Sequence, residues 1–120
     1  MTRKPAIHDP EPHLVTSHGA DFFGEDRHLL KALPTLAPWV NNSVSWNDRK
    51  TVAPLVQLLE NPTAQTIPAS QAAVLAEQLL KASRTRHLKP ALSALARLLA
   101  DAAARAAADG EPWEWTVVAA

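Results

Sequence analysis

The chain has 120 residues, of which 47% are hydrophobic and 20% charged, a balance that is ordinary for one globular domain. It contains no cysteine, which excludes disulfide scaffolds, thiolate zinc sites and thiol nucleophiles. The 12 basic and 12 acidic residues cancel, so no net field draws the chain to nucleic acid or to an anionic membrane. Because no apolar run has the length of a signal peptide or of a membrane span, we expect a cytoplasmic protein without membrane contact.

The first 12 residues carry three prolines among charges, so residues 1–12 are predicted to be a flexible tail before a single domain, residues 13–120. Residues 13–17 have strand character, and Gly19 permits a tight turn after them. The acidic residues Glu25 and Asp26 then favour a helix start, because they complement the positive end of the helix dipole. The prolines that follow predict two short helical pieces or one kinked helix, ending at Asn42.

The second half of the domain is predicted to be mostly helical. One helix is predicted between about Ser45 and Asn61, with Pro54 tolerated if the helix starts nearer Thr51, and a polar link runs through Thr66. A helix after Pro68 and a long helix ending at Gly110 are predicted to form a hairpin, because leucines and alanines recur at spacings of three and four.

The chain end alternates with period two, since Trp113, Trp115 and Val117 are apolar and the residues between them polar. This pattern predicts a strand, and a single strand needs a partner. The segment 13–17 is the partner that the pattern offers, so the two chain ends are predicted to pair as a two-stranded antiparallel ribbon. The predicted fold is therefore mainly α (α+β): a bundle of four to five helices with a C-terminal helical hairpin and this ribbon.

The richest chemistry lies in residues 17–28, where His18, Asp21 and His28 are weak candidates for metal ligands. Their spacing matches no known zinc motif, and the alternative is that Asp21 caps a turn while Phe22 and Phe23 anchor the loop in the core. A hydrolytic triad of neighbouring residues in this segment is disfavoured by geometry. We therefore predict no catalytic residue, no metal and no cofactor.

A basic turn joins the last two helices, and its four candidates for nucleic-acid contact are Lys81, Arg84, Arg86 and Lys89. The turn lacks a glycine, and the following helix offers few side chains for base contact at its start. Nucleic-acid binding is therefore an alternative that the sequence allows but does not favour.

Tryptophan is a common anchor of binding surfaces, and the chain has four tryptophans and no tyrosine. The pair near the C-terminus is expected in the core. A groove lined by Phe22, Phe23, Trp39 and Trp46 is the predicted partner-binding surface.

The segment Ser17-His18-Gly19-Ala20-Asp21-Phe22-Phe23-Gly24, paired with Trp113-Glu114-Trp115 near the end, is similar to a family of small actinobacterial proteins of unknown function. The resemblance covers roughly residues 14–118, which fits a single domain. It implies no activity, and no functional residue is carried over from it.

With no cysteine, no phosphate-binding loop and no convincing acid–base pair, the sequence favours a non-enzymatic protein-binding or regulatory module. Its partner is expected to be another protein or a second copy, the latter along the alanine-rich face of residues 100–108. The alternatives are a nucleic-acid-binding regulator that uses the turn 81–89, and a metal-dependent site at His18, Asp21 and His28.

Overall fold

A computed structural model describes residues 11–119 and gives an α+β fold of four helices and a four-stranded antiparallel sheet. The strands are β1 (His13–Ser17), β2 (Glu25–Leu29), β3 (Gln65–Ile67) and β4 (Trp113–Val118). The helices are α1 (Ala32–Asn42), α2 (Arg49–Glu60), α3 (Ala69–Ser83) and α4 (Pro90–Asp109). The predicted helical bundle with a two-stranded ribbon is therefore wrong. Within residues 11–119, no helix combines the length and the apolar character that crossing a bilayer requires.

The sheet has the order β2-β1-β4-β3. Its centre is the predicted pairing of the two chain ends, in which Leu14 lies opposite Val117 and Thr16 opposite Trp115. Two further strands extend this ribbon, since β2 pairs with β1 and β3 with β4. The sequence predicted neither of them.

Strand β2 replaces the helix that was predicted from Glu25. Gly24 adopts a left-handed backbone with φ of 72° and turns the chain back beside β1, where Ser17 lies opposite Glu25. The ladder of hydrogen bonds to β1 outweighs the helix signal of the acidic residues, which is worth only about 0.3–1 kcal/mol. The sequence EDRHL holds few of the residues that are enriched in strands, so local preference could not show this strand.

The two proline-containing helices end close to the predicted positions, but α1 starts later than predicted and α2 starts between the two predicted starts. Helix α1 runs without a break from Ala32 to Asn42, with Pro38 inside it, and α2 begins at Arg49 with Pro54 inside it. A short 3-10 turn, Trp46–Asp48, leads into α2. The predicted polar link at Thr66 is strand β3, and its Ile67 is buried opposite Trp113.

The predicted helical hairpin is present as α3 and α4. Pro90 occupies the first turn of α4, and Gly110 ends the helix in a left-handed conformation with φ of 67°. Ser93 Oγ donates to the carbonyl of Ser83 at 2.7 Å, which ties the start of α4 to the end of α3. In the turn between them, His87 takes the left-handed position (φ of 67°) that a glycine would usually fill.

One face of the sheet is covered by the helices and the other is open. On the covered face, Trp113 and Trp115 are fully buried, while their neighbours Glu114 and Thr116 are exposed. Leu14 and Ile67 join the tryptophans in a core that also takes the apolar sides of all four helices. Of the predicted tail, residues 1–10 lie outside the described residues, and Glu11 and Pro12 contact Lys31 and Leu30.

Candidate functional site

The loop between β1 and β2, residues 18–24, presents the most exposed large apolar side chains among residues 11–119. We call this loop the hairpin tip. Phe22 is 95% exposed and Phe23 is 79% exposed. Their two rings meet edge to face with centroids 5.2 Å apart. The predicted alternative, in which both phenylalanines anchor the loop in the core, is therefore wrong.

A β-turn built by Asp21 and Gly24 displays the two phenylalanines. The amide of Gly24 donates to the carbonyl of Asp21 at 3.0 Å, so Phe22 and Phe23 are the two central residues of the turn. Aspartate at the first position and glycine at the fourth are typical of a type I turn. The order Asp-Phe-Phe-Gly therefore carried a turn signal in the sequence.

The Asp21 carboxylate caps this turn, which is one of the two roles that the sequence allows for it. Its Oδ1 accepts hydrogen bonds from the amides of Phe23 at 2.8 Å and Glu25 at 2.7 Å. Such a bond from an aspartate to the amide two residues later is a standard way to hold a turn. Asp21 is thus a structural residue of the hairpin tip.

The start of the hairpin tip packs closely on its end. The amide of Ala20 donates to Asp26 Oδ1 at 2.9 Å, and the amide of Gly19 donates to the carbonyl of Gly24 at 2.9 Å. A Cβ atom at position 19 would collide with the backbone of Glu25 and Asp26, so only glycine fits there. The backbone of the hairpin tip is held by its own hydrogen bonds, although its largest side chains touch little else.

His18 joins the hairpin tip to the C-terminal end of α4. Its Nε2 lies 2.7 Å from Glu111 Oε1 and 3.9 Å from Asp109 Oδ2. Its carbonyl accepts a hydrogen bond from Arg105 Nη1 at 2.6 Å. We call His18, Asp109 and Glu111 the His18 cluster.

Ser17 completes a chain of polar contacts through this histidine. Ser17 Oγ lies 2.8 Å from His18 Nδ1, so hydroxyl, imidazole and the Glu111 carboxylate form a chain, but with the two ring nitrogens exchanged relative to a hydrolase triad. The amide of Glu114 also donates to Ser17 Oγ at 2.9 Å, so the hydroxyl is held between the backbone and the imidazole. The contacts of Ser17 therefore favour a role in orienting the imidazole.

The structure does not bring the three predicted metal candidates together. Asp21 binds backbone amides of the hairpin tip, and His28 is buried on the helix-covered face of the sheet. Burial lowers the pKa of His28, and the neighbouring Asp26 carboxylate opposes that shift in part. The metal-ligand types that do converge on His18 are Asp109 and Glu111, which lie more than 90 residues away and carry no short-range signal.

The other predicted partner-binding residues lie apart from the phenylalanines along the chain. Trp46 is 78% exposed in the 3-10 turn before α2, where the Arg49 guanidinium lies 5.0 Å from its ring centroid. Trp39 is half-buried on α1 and packs against the core. The aromatic ring pairs found within residues 11–119 join Phe22 to Phe23 and Trp113 to Trp115, and neither pair includes Trp39 or Trp46.

The four basic candidates of the turn between α3 and α4 are all exposed: Lys81, Arg84, Arg86 and Lys89. Lys81 and Arg84 line an open cleft of about 450 Å³ together with Asn42 and Ser43, and Glu77 adds a negative charge there. The alanine-rich face that was predicted for self-association is occupied within the chain, because Ala100, Ala103 and Ala106 are buried in its own core.

The profile of a family described as "Domain of unknown function (DUF7739)" matches residues 19–116, which is most of the chain. This confirms the predicted resemblance to a family of small domains of unknown function. No curated protein and no solved structure matches the chain.

Proposed function

The chain belongs to the DUF7739 family, and we propose that it is a protein-binding module whose hairpin tip inserts into an apolar pocket of a partner protein. The observation that carries the proposal is a pair of adjacent, almost fully exposed phenylalanines on a backbone that is held in place. The module is proposed to be non-enzymatic and cytoplasmic, as the lack of cysteine fits.

The apolar area of the hairpin tip is large enough to anchor a partner. A phenylalanine can bury about 150–250 Å² on binding, so two adjacent rings supply a substantial part of the core of an interface. Burial of each ring is worth about 1.5–3 kcal/mol. Single exposed apolar residues are ordinary on protein surfaces, whereas two on one turn form a patch.

The ordered backbone of the hairpin tip lowers the conformational entropy that is lost on binding. A flexible loop loses conformational entropy when it docks, and a loop that is already ordered does not. The bonds of Asp21 to the amides of Phe23 and Glu25, with the close approach of Gly19 to Asp26, order the hairpin tip in advance. An ordered hairpin tip therefore favours a partner whose pocket is complementary in shape to the two rings.

The charge around the hairpin tip indicates the chemistry of the partner. Asp21 lies in the turn, Glu25 follows it, and the exposed Asp109 and Glu111 lie beside His18. Carboxylates next to the rings would be repelled by an anionic bilayer. A protein pocket with an apolar floor and a rim of lysine or arginine fits both features.

The test compares three tagged full-length proteins as baits in lysate of the native host, with nuclease present: wild type, the double variant F22A/F23A, and W46A. Trp46 is the matched control, because it is also a large exposed aromatic residue and lies outside the hairpin tip. A protein recovered by wild type and W46A but not by F22A/F23A is then purified. Calorimetry is expected to show at least a hundredfold weaker binding to the double variant, since each ring contributes about 1.5–3 kcal/mol.

Circular dichroism spectra and melting temperatures of the three proteins establish that the variants are folded. If every protein recovered by wild type is recovered equally by F22A/F23A, the hairpin tip is not the binding surface. Loss of binding in W46A alone would assign the function to the predicted tryptophan surface instead.

Nucleic-acid binding through the basic turn stays the alternative, and the exposure of its four basic side chains favours testing it. It predicts that affinity for DNA or RNA falls steeply as salt rises and is lost in the variant R84A/R86A. A fluorescence anisotropy titration at two salt concentrations distinguishes it from the proposed function, which requires no nucleic acid.

A further inference from the structure

We propose that the His18 cluster is a site for a divalent first-row transition metal ion such as Zn²⁺, with His18 Nε2, one Asp109 oxygen and one Glu111 oxygen as ligands. The inference goes beyond the proposed function and does not depend on it. It rests on the convergence of three ligand atoms, on the elements that hold them and on the orientation of the imidazole.

The three ligand atoms already lie near a common centre, because all are within 4.8 Å of one another. Zn²⁺ binds nitrogen and carboxylate oxygen at about 2.0–2.2 Å, which places tetrahedral ligand atoms about 3.3–3.6 Å apart. The observed 2.7 Å from Nε2 to Glu111 Oε1 and 3.9 Å from Nε2 to Asp109 Oδ2 lie on either side of that range. Small rotations of the exposed Asp109 and Glu111 side chains would bring both distances into that range.

The fold holds the two carboxylates on the same side of the chain. Asp109 is the last residue of α4, and Gly110 reverses the backbone in a left-handed conformation directly after it. The amide of Glu111 donates back to the carbonyl of Ala106 at 3.0 Å, the bond of a Schellman motif. This motif fixes Glu111 relative to Asp109.

The sheet brings His18 to this helix end. Strand β1 ends at Ser17, and its pairing with β4 places Thr16 opposite Trp115. His18 has a left-handed backbone with φ of 60°, which costs energy for a residue with a side chain. The bond from Arg105 to the carbonyl of His18 helps to hold it there.

The imidazole is oriented as metal-binding histidines are. In the structure Nε2–H donates to the Glu111 carboxylate at 2.7 Å, because a carboxylate only accepts. A bound metal ion would take the place of this hydrogen, and in that tautomer Nδ1–H would donate to Ser17 Oγ at 2.8 Å. Ser17 Oγ is itself held by the Glu114 amide. One imidazole and two carboxylates favour Zn²⁺ and its neighbours over Ca²⁺ and Mg²⁺, which prefer oxygen ligands alone, and leave a fourth position open.

The test is calorimetric titration of the untagged full-length protein with ZnCl₂, for wild type and the variants H18N, E111Q and H87N. Asparagine tolerates the left-handed backbone, and E111Q keeps the size of the side chain, so both variants are expected to fold. H87N is the matched control, because His87 also has a positive φ and lies at an exposed position outside the cluster. The expected result is one Zn²⁺ per chain, with affinity at least tenfold weaker in H18N and E111Q and unchanged in H87N.

Two outcomes would overturn the proposal: wild type that binds no stoichiometric Zn²⁺, or H18N and E111Q that bind it as tightly as wild type does. Circular dichroism of each variant shows that a lost site is not a lost fold. Because the titration contains no partner protein, its failure leaves the role of the hairpin tip open, and failure of partner binding leaves this site open.

Discussion

Two aromatic pairs in this chain share one geometry and have opposite surroundings. The rings of Trp113 and Trp115 meet edge to face at 5.4 Å and 88°, and those of Phe22 and Phe23 at 5.2 Å and 83°. The tryptophans are fully buried under the helices, whereas the phenylalanines project from the hairpin tip. The comparison shows that contact between two rings does not by itself place them in a core, because their backbone decides what else they touch.

The backbones of the two pairs explain the difference. Trp113 and Trp115 are two residues apart on a strand, so both side chains point to the helix-covered face. Phe22 and Phe23 are the two central residues of a turn outside the strands, and both are exposed. The first pair is expected to contribute stability and the second pair little, as its proposed role in partner binding requires; four predictions examine the two regions.

The largest expected effect is on the buried pair. Trp113→Ala is expected to lower the free energy of unfolding by about 3–5 kcal/mol, because it leaves a large cavity beneath the sheet. Phe22→Ala is expected to change it by less than about 0.5 kcal/mol, as surface substitutions usually do. Urea denaturation followed by far-ultraviolet circular dichroism measures both. Equal losses in the two variants would contradict the division.

A smaller effect is expected from the glycine that closes the hairpin tip. Gly19→Ala forces a Cβ atom against the backbone of Glu25 and Asp26 and is expected to cost about 1–3 kcal/mol. Gly24→Ala is the matched control, since a Cβ atom there meets no atom within 4 Å and only the left-handed backbone with φ of 72° is penalised, at about 1–2 kcal/mol. The same denaturation assay ranks them, and a Gly19→Ala variant as stable as wild type would show that the tip rearranges easily.

A pH effect is expected from His28, which lies on the buried side of the same hairpin. Burial lowers the pKa of His28 in the folded protein below its ordinary value of 6.5, so below that pH the unfolded chain binds a proton that the folded chain does not. Stability therefore falls as the pH drops from about 6.5 towards the lowered pKa, by at most about 1.4 kcal/mol per pH unit from this one group. Melting temperatures of wild type and His28→Gln between pH 7 and pH 5 measure the difference. A variant whose melting temperature falls just as steeply would remove His28 as the cause.

A small loss of stability is expected at the turn itself. Asp21→Ala removes the acceptor of two amide hydrogen bonds and is expected to cost about 1 kcal/mol. Hydrogen exchange at the amides of Phe23 and Glu25 is expected to become faster, while exchange in α4 stays unchanged. Unchanged protection at both amides would show that Asp21 does not order the hairpin tip, and the argument from a held backbone would fail.

Much of the helical half of the fold was predictable from the sequence. The hairpin of α3 and α4 follows from apolar residues at helical spacing, and Gly110 marks its end. Pro38 and Pro54 lie inside continuous helices, contrary to the local signal, because each helix keeps its other hydrogen bonds and its buried side, which offset the missing amide.

The candidate site was predictable only in part. The segment 17–28 stood out by composition, and the cap by Asp21 was among the alternatives considered. The exposure of Phe22 and Phe23 does not follow from their type, because phenylalanine is usually buried; only the turn pattern Asp-Phe-Phe-Gly indicates that they lie outside a strand. Strand β2, Glu25–Leu29, is not predicted by the sequence either, because its structure depends on pairing with β1 and not on its own residues.

The sequence by itself determined the elements that local rules govern: the periodic helices α3 and α4, the stop at Gly110, and the alternating strand β4 with its need for a partner. These depend on residues within a few positions of one another, so their signals lie within short windows of sequence. Only the tertiary structure decided that two further strands join the sheet and that His18 meets Glu111 across 93 positions. Such contacts form because strand pairing and helix packing bring distant segments together, and no local pattern records which segments will meet.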